Sequence, residues 1–219
     1  MPPLTPEQRL KLDLSDDTYF YDIPRFVTHV DDGFIEQLTN LYRDRLQSNS
    51  RILDLMSSWV SHLPKEIAFA HVEGHGMNGE ELAKNPRLDH YFSQNLNLNP
   101  ALPFDDNSFD AVLIAVSVQY LEYPEAVFSE IQRILTPGGI TIVSFSNRMF
   151  FNKAIQAWRE GSESDRLQLV CSYFSQTPGF TAPEVVQSVS PAAQFLALMR
   201  IQLADPFYAV MAKKLPFSK

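Results

Sequence analysis

The sequence holds one cysteine, Cys171, in 219 residues, which excludes an internal disulfide framework and any zinc or iron–sulfur site built from thiolates. A lone cysteine of this kind reads as a small buried apolar residue rather than a nucleophile. No run approaches the ~18 consecutive apolar residues that a membrane helix requires. The opening Met1-Pro2-Pro3-Leu4-Thr5 has no basic-then-apolar leader, so a soluble, cytoplasmic protein is expected. Glycine is scarce, eight residues against fifteen prolines, about half the ~7% of average usage, so each glycine needs a reason. Positive charge is also in deficit, with 18 Lys+Arg against 26 Asp+Glu and a net charge of -8. A nucleic-acid-binding surface needs the opposite field, and the acidic residues are scattered as on an ordinary solvated surface. No carboxylate cluster points to a metal, and none is expected; no G-x-S-x-G points to a serine hydrolase.

What is present is a chain with 45% hydrophobic and 20% charged residues, sized for one domain. Residues 1–48 read as an N-terminal arm and helix belonging to the same domain as residues 49–219. Within it, Asp31-Asp32 caps a helix running to about Leu46, with Phe34, Leu38, Leu41 and Tyr42 on one face. Strands are expected at Arg51–Met56, Ile67–Glu73, Asp110–Ser117 and Ile140–Phe145, and short helices at Gly79–Lys84 and Ala154–Trp158. A longer amphipathic helix over Pro124–Leu135 is stopped by Thr136-Pro137-Gly138-Gly139. Further on, Thr181–Val189 and Phe207–Lys213 read as strands joined by a connection containing Ala192–Leu203. This alternation predicts an α/β, doubly wound, mostly parallel sheet. Ligands of such sheets lie beyond the carboxyl ends of the strands.

The stretch Leu102-Pro103-Phe104, Asp105-Asp106-Asn107-Ser108-Phe109-Asp110-Ala111-Val112, Tyr120-Leu121, Pro124, Glu130 and Arg133-Ile134-Leu135-Thr136-Pro137-Gly138-Gly139 resembles the central part of class I S-adenosylmethionine-dependent methyltransferases of the type 11 branch. The likeness is dense over about residues 92–148 and looser over 50–145. It implies a seven-stranded Rossmann-like sheet with S-adenosylmethionine across the ends of the first, second and fourth strands. It also implies methyl transfer to a small-molecule acceptor.

Carried over residue by residue, the resemblance puts Asp54 at the end of the first strand, near the methionine moiety. Met56, Ser58 and Val60 then stand where the family has three glycines, with Ser57 and Ser58 small enough for a ligand to approach. Gly76 takes the place of the carboxylate that grips both ribose hydroxyls. Met77 would lie against the adenine, with Asn78 beside it. Asn95 would accept the adenine amino group, Leu96 would offer its backbone N–H, and Ser117 closes the fourth strand. The discriminating feature is Met56–Val60: if Met56 or Trp59 fills the cofactor's volume, a noncatalytic methyltransferase-like binding or regulatory protein is the reading. If both turn away and the Ser57-Ser58 amides face the cleft, the enzyme reading holds.

Around an acceptor, His29, Gln119, Tyr120 and Arg148 are the candidate polar groups, with His62 and His75 nearby and no catalytic base assigned. His75, beside the missing carboxylate, is in a position to bond a ribose hydroxyl instead. A third reading comes from Gly74-His75-Gly76-Met77-Asn78-Gly79, a G-x-G-x-x-G dinucleotide fingerprint that would make the chain an oxidoreductase. That motif belongs after a fold's first strand, whereas here Ile52–Leu55 precedes it.

Overall fold

The computed structural model describes residues 3–188 and 204–216. Seven strands form one sheet: β1 (Arg51–Leu55), β2 (His71–Gly76), β3 (His90–Ser93), β4 (Phe109–Ala115), β5 (Leu135–Phe145), β6 (Glu184–Ser188) and β7 (Phe207–Lys213). Their order is β3-β2-β1-β4-β5-β7-β6. The first five run parallel, and β7 lies antiparallel to both of its neighbours. This is the doubly wound, mostly parallel seven-stranded sheet expected from the sequence. Strand order reverses between β1 and β4, so the crevice for a ligand opens there.

Helices cover both faces. Helix α2 (Asp32–Arg45) buries Phe34, Leu38, Leu41 and Tyr42 against Ile52, Leu113, Ile142 and Met211, and Asp31 caps it by accepting from the Phe34 N–H at 2.8 Å. On the other face, α4 (Pro124–Ile134), α5 (Gln156–Glu160) and α6 (Glu163–Gln176) pack Phe128, Ile131, Trp158 and Phe174 against Leu53, Val112, Val143 and Val210. Fully burying one such side chain stabilises the fold by roughly 1.5–3 kcal/mol. Helices α1 (Asp17–Tyr21) and α3 (Gly79–Lys84) flank the mouth of the crevice.

Several boundaries differ from the sequence reading, among them β4, which runs Phe109–Ala115 instead of Asp110–Ser117. Strand β2 begins at His71 because that residue pairs with Arg51, the first residue of β1, and residues 67–70 have no strand to pair with. Helix α5 starts two residues late because Ile155 is its extended N-cap. Strand β5 starts at Leu135, directly after α4, and residues 136–139 bulge between the pairs Phe109–Leu135 and Ala111–Ile140. Gly138 takes φ +84° in that bulge, a conformation that Gly adopts without strain. Strand β6 covers Glu184–Ser188, whereas Val189 and the connection Ala192–Leu203 lie outside the described residues. No helix of the described residues is long and apolar enough to cross a membrane.

The arm is fixed to the body by charge. The Lys153 ammonium is fully buried and sits 3.0 Å from Asp13 and 3.3 Å from Asp17. Lys11, also buried, pairs with Asp17 and lies 3.1 Å from Glu122. Buried charges persist only when paired in this way. Asp13 is held down at about 2, chiefly by hydrogen bonds from Ser15 and then by Lys153.

Candidate functional site

A cleft of about 350 Å³ opens at the carboxyl ends of β1, β2 and β4. All ten positions assigned by resemblance to the cofactor line it: Asp54, Met56, Ser57, Ser58, Gly76, Met77, Asn78, Asn95, Leu96 and Ser117. Three of the four acceptor candidates, His29, Tyr120 and Arg148, line it too, as does His62. Gln119 is absent from the wall. It is buried beneath the turn after β4, where its side-chain amide donates to the Val116 carbonyl at 2.9 Å.

Two wall residues carry backbone strain. Met56 has φ +58° and Val116 φ +55°, at the ends of the neighbouring strands β1 and β4. Left-handed backbone costs a non-glycine residue about 1–3 kcal/mol, and Val is β-branched. Strain of this kind collects at binding sites.

The turn after β1 is folded down onto the end of β2. The Met56 N–H donates to His75 Nδ1 at 3.1 Å, and the Ser57 N–H donates to the His75 carbonyl at 2.6 Å. His75 Nε2–H in turn donates to the Gln94 carbonyl at 3.0 Å. Both ring nitrogens are therefore bonded to backbone, which fixes the neutral tautomer, and burial pulls the imidazole down to about 4. His75 is thus a pin for the turn, which corrects the expectation that it offers a nitrogen to a ribose hydroxyl.

The same fold-down explains residue 76. A Cβ there would lie 2.5 Å from the Ser57 carbonyl oxygen, so no acid can stand at this position while the turn is closed. Gly74 and Gly76 lie inside β2 rather than in a phosphate-binding turn, so the dinucleotide reading fails. A phosphate cradle needs those glycines in the strand-to-helix loop.

Asp54, next to last in β1, has its carboxylate buried, accepting from the Ser57 hydroxyl at 2.6 Å and from the Ser61 hydroxyl. Burial pushes it up to about 6, against the lowering effect of both hydroxyls. Ser117 presents a buried hydroxyl with no hydrogen-bond partner among the described residues. Asn78 caps α3, its oxygen accepting from the Glu80 and Glu81 N–H groups at 2.9 and 3.0 Å. Its amide donates to the Tyr21 and Asp22 carbonyls, so Asn78 is a clamp between helix and arm. Asn95 accepts from the Asn97 N–H at 3.0 Å and donates to Asp16 at 3.2 Å. Its carboxamide oxygen keeps one further acceptor site.

Trp59 stands in the cleft wall and leans on the arm. Its indole N–H donates to the Val27 carbonyl at 3.1 Å, and its ring meets Phe26 edge-on. Met56 packs partly into the core. The cleft therefore stays open on the criterion of volume, but the Met56 and Ser57 amides are engaged by His75 instead of facing it.

Among the wall residues, sequence reasoning did not single out Phe150 or Glu81. Phe150 gathers His29 at 5.1 Å edge-on and Tyr120 at 5.9 Å stacked, and it accepts the edge of Tyr21 at 6.5 Å. The Tyr120 hydroxyl receives the Phe150 N–H at 2.9 Å, and burial pushes that phenol up to about 12. Arg25 donates from its guanidinium to the Phe20 carbonyl at 2.9 Å and lies over the Phe20 ring. Arg148 pairs with Asp205 at 2.7 Å. Glu81, on α3, is buried in the wall and joins Ser58 to Arg25. The spacing Asn78-x-x-Glu81 resembles a capping box, so pattern alone assigns Glu81 to the helix end. No group of three or more His, Cys, Asp or Glu among the described residues is placed to hold a metal.

Residues 77–143 match the family described as "Methyltransferase domain". Among curated proteins, the chain is 37% identical over 71 residues to a ubiquinone/menaquinone biosynthesis C-methyltransferase of Hahella chejuensis. That alignment covers 30% of this chain and 28% of the relative. The chain spans less than a third of the length of the curated relatives it matches. Among solved structures, a [4+2]-cyclase aligns with TM-score 0.58 and 18% identity, covering 83% of this chain and 81% of its own. An S-adenosylmethionine-dependent methyltransferase from Mesorhizobium loti aligns with TM-score 0.55 and 18% identity, covering 84% and 99%. At such identities the structural likeness shows the fold.

Proposed function

We propose that this chain, whose central segment and fold are those of the class I methyltransferase family, binds S-adenosylmethionine in the β1–β2–β4 cleft and transfers its methyl group to a small-molecule acceptor. The observation that carries this reading is the cleft itself. A volume of about 350 Å³ persists although the family's glycine loop has been replaced. When bound, the cofactor supplies a methyl carbon on a positively charged sulfur.

The residues' part is to bind and align. Met77 and Leu96 offer apolar surface for the base, and the free acceptor site on the Asn95 oxygen suits its amino group. The buried, unpartnered Ser117 hydroxyl fits a polar ligand atom. Asp54 lies at the methionine end, and its charge favours a cationic ligand there.

On the acceptor side, Tyr120, Phe150 and His29 form an aromatic wall. Burial lowers His29 from its ordinary value, so its imidazole is neutral near pH 7 and able to accept a proton from an acceptor. Methyl transfer depends chiefly on aligning nucleophile, methyl carbon and sulfur, and a shaped cleft provides that alignment.

Calorimetric titration with S-adenosylmethionine and S-adenosylhomocysteine, with NADH as control, tests this reading. Micromolar binding of the first two without NADH is expected. Failure of both to bind folded protein would instead favour a noncatalytic methyltransferase-like protein.

A further inference from the structure

We infer that Glu81 takes over the ribose-gripping role that position 76 has lost, accepting the 2′ and 3′ hydroxyls of a bound nucleoside. The inference rests on the proposed reading of the cleft as a nucleoside-cofactor site. With the Ser57 carbonyl 2.5 Å from any Cβ at residue 76, the end of β2 offers no acid, yet a ribose diol is best held by one through charge-assisted hydrogen bonds.

Glu81 is the carboxylate nearest in sequence on the same wall, in the first turn of the helix that follows β2. A glutamate three residues after an N-cap ordinarily turns back to the cap's own N–H. Here Asn78 caps the helix with its side chain, while Glu81 reaches Ser58 and the arm. Its Oε1 accepts from the Arg25 main-chain N–H at 2.6 Å, and its Oε2 accepts from the Ser58 hydroxyl. Among the described residues these two uncharged donors are its polar contacts, although the side chain is buried. An ionised carboxylate has about four acceptor sites, so one neutral donor per oxygen leaves each oxygen a free lone pair. Two vicinal hydroxyls would supply one further donor to each oxygen.

The test is a comparison of ligands rather than a loss of activity. Binding of S-adenosylhomocysteine and of its 2′,3′-dideoxy analogue is measured calorimetrically for wild type, Glu81→Gln and Glu80→Gln, each checked for folding by circular dichroism. Wild type is expected to favour the diol about a hundredfold, consistent with two charge-assisted hydrogen bonds. Glu81→Gln should bring that ratio below about tenfold, while Glu80→Gln, an exposed carboxylate of the same turn outside the cleft wall, should retain it. If Glu81→Gln does not fold, Glu81→Asp provides the comparison, and its shortened reach should lower the ratio. An undiminished ratio in the folded Glu81 variant, or equal binding of the two ligands by wild type, overturns the inference while leaving cofactor binding intact. Failure of wild type to bind S-adenosylhomocysteine overturns both the inference and the reading beneath it.

Discussion

The Ser57 carbonyl oxygen occupies the space beside Gly76 into which a side chain would have to grow, 2.5 Å from the position of its Cβ. The two departures from the pattern of the family this chain resembles, a β1 turn without glycines and a β2 end without an acid, are therefore coupled. Once the Met56 and Ser57 N–H groups bond to His75, the turn descends onto β2, and only glycine fits under it.

An acid at position 76 should consequently harm this protein. Gly76→Asp is expected to destabilise the fold by about 1–3 kcal/mol through overpacking against backbone and to weaken S-adenosylhomocysteine binding. Chemical denaturation and calorimetry check this. A variant that binds more tightly at unchanged stability would show that the turn opens freely.

Asp54 gives a pH signature. Its carboxyl is raised to about 6 in the folded protein from an ordinary 3.8, so the folded state binds its proton at higher pH than the unfolded state does. Burial of the ionised form thus costs stability above pH 6, and that cost disappears as pH falls toward 4. Asp54→Asn should therefore gain stability over wild type at pH 7, with the difference shrinking by about 2–3 kcal/mol by pH 4. Urea unfolding across that range measures it, and a difference independent of pH would contradict the buried-acid account.

The arm depends on buried charge. Lys153→Met leaves Asp13 and Asp17 without their shared cation and is expected to cost about 3–5 kcal/mol. Amide exchange should quicken most across residues 11–22 if the loss lies in arm docking. Unchanged exchange there would place the arm's anchorage elsewhere.

Asn95→Leu should weaken S-adenosylhomocysteine binding by about 1–3 kcal/mol by removing an acceptor for the adenine amino group. The variant also loses the bond from the Asn97 N–H, so stability is followed alongside affinity. Full affinity in a folded variant would put the adenine elsewhere.

Much of the sheet is legible in the sequence because apolar runs such as Ala111–Ala115 admit little besides a buried strand. Helix α2 is legible through Asp31 and the spacing of Phe34, Leu38, Leu41 and Tyr42. Helix α6 is not, since its first turns are polar and the charged Arg166 falls in the middle of the face made by Leu169, Val170, Tyr173 and Phe174. Strand β3 is short and mostly exposed, so burial leaves no pattern in it. At the site, positions placed by resemblance converge on one cleft because the order of the strands fixes them. The parts that distinguish this chain arise from long-range pairs such as Lys153 with Asp13, Glu81 with Arg25, and Trp59 with Val27. No local spacing signals these, and His75 reads as a ligand candidate until both of its nitrogens are seen bonded to backbone.

The most direct measurement is a crystal structure of the protein with S-adenosylhomocysteine. The account predicts the ligand in the β1–β2–β4 cleft with the Ser57 carbonyl still packed on Gly76 and His75 still pinning the turn. A ligand bound outside that cleft, or a turn lifted away from Gly76 to admit it, would contradict the claim that the closed turn is the working form of the site.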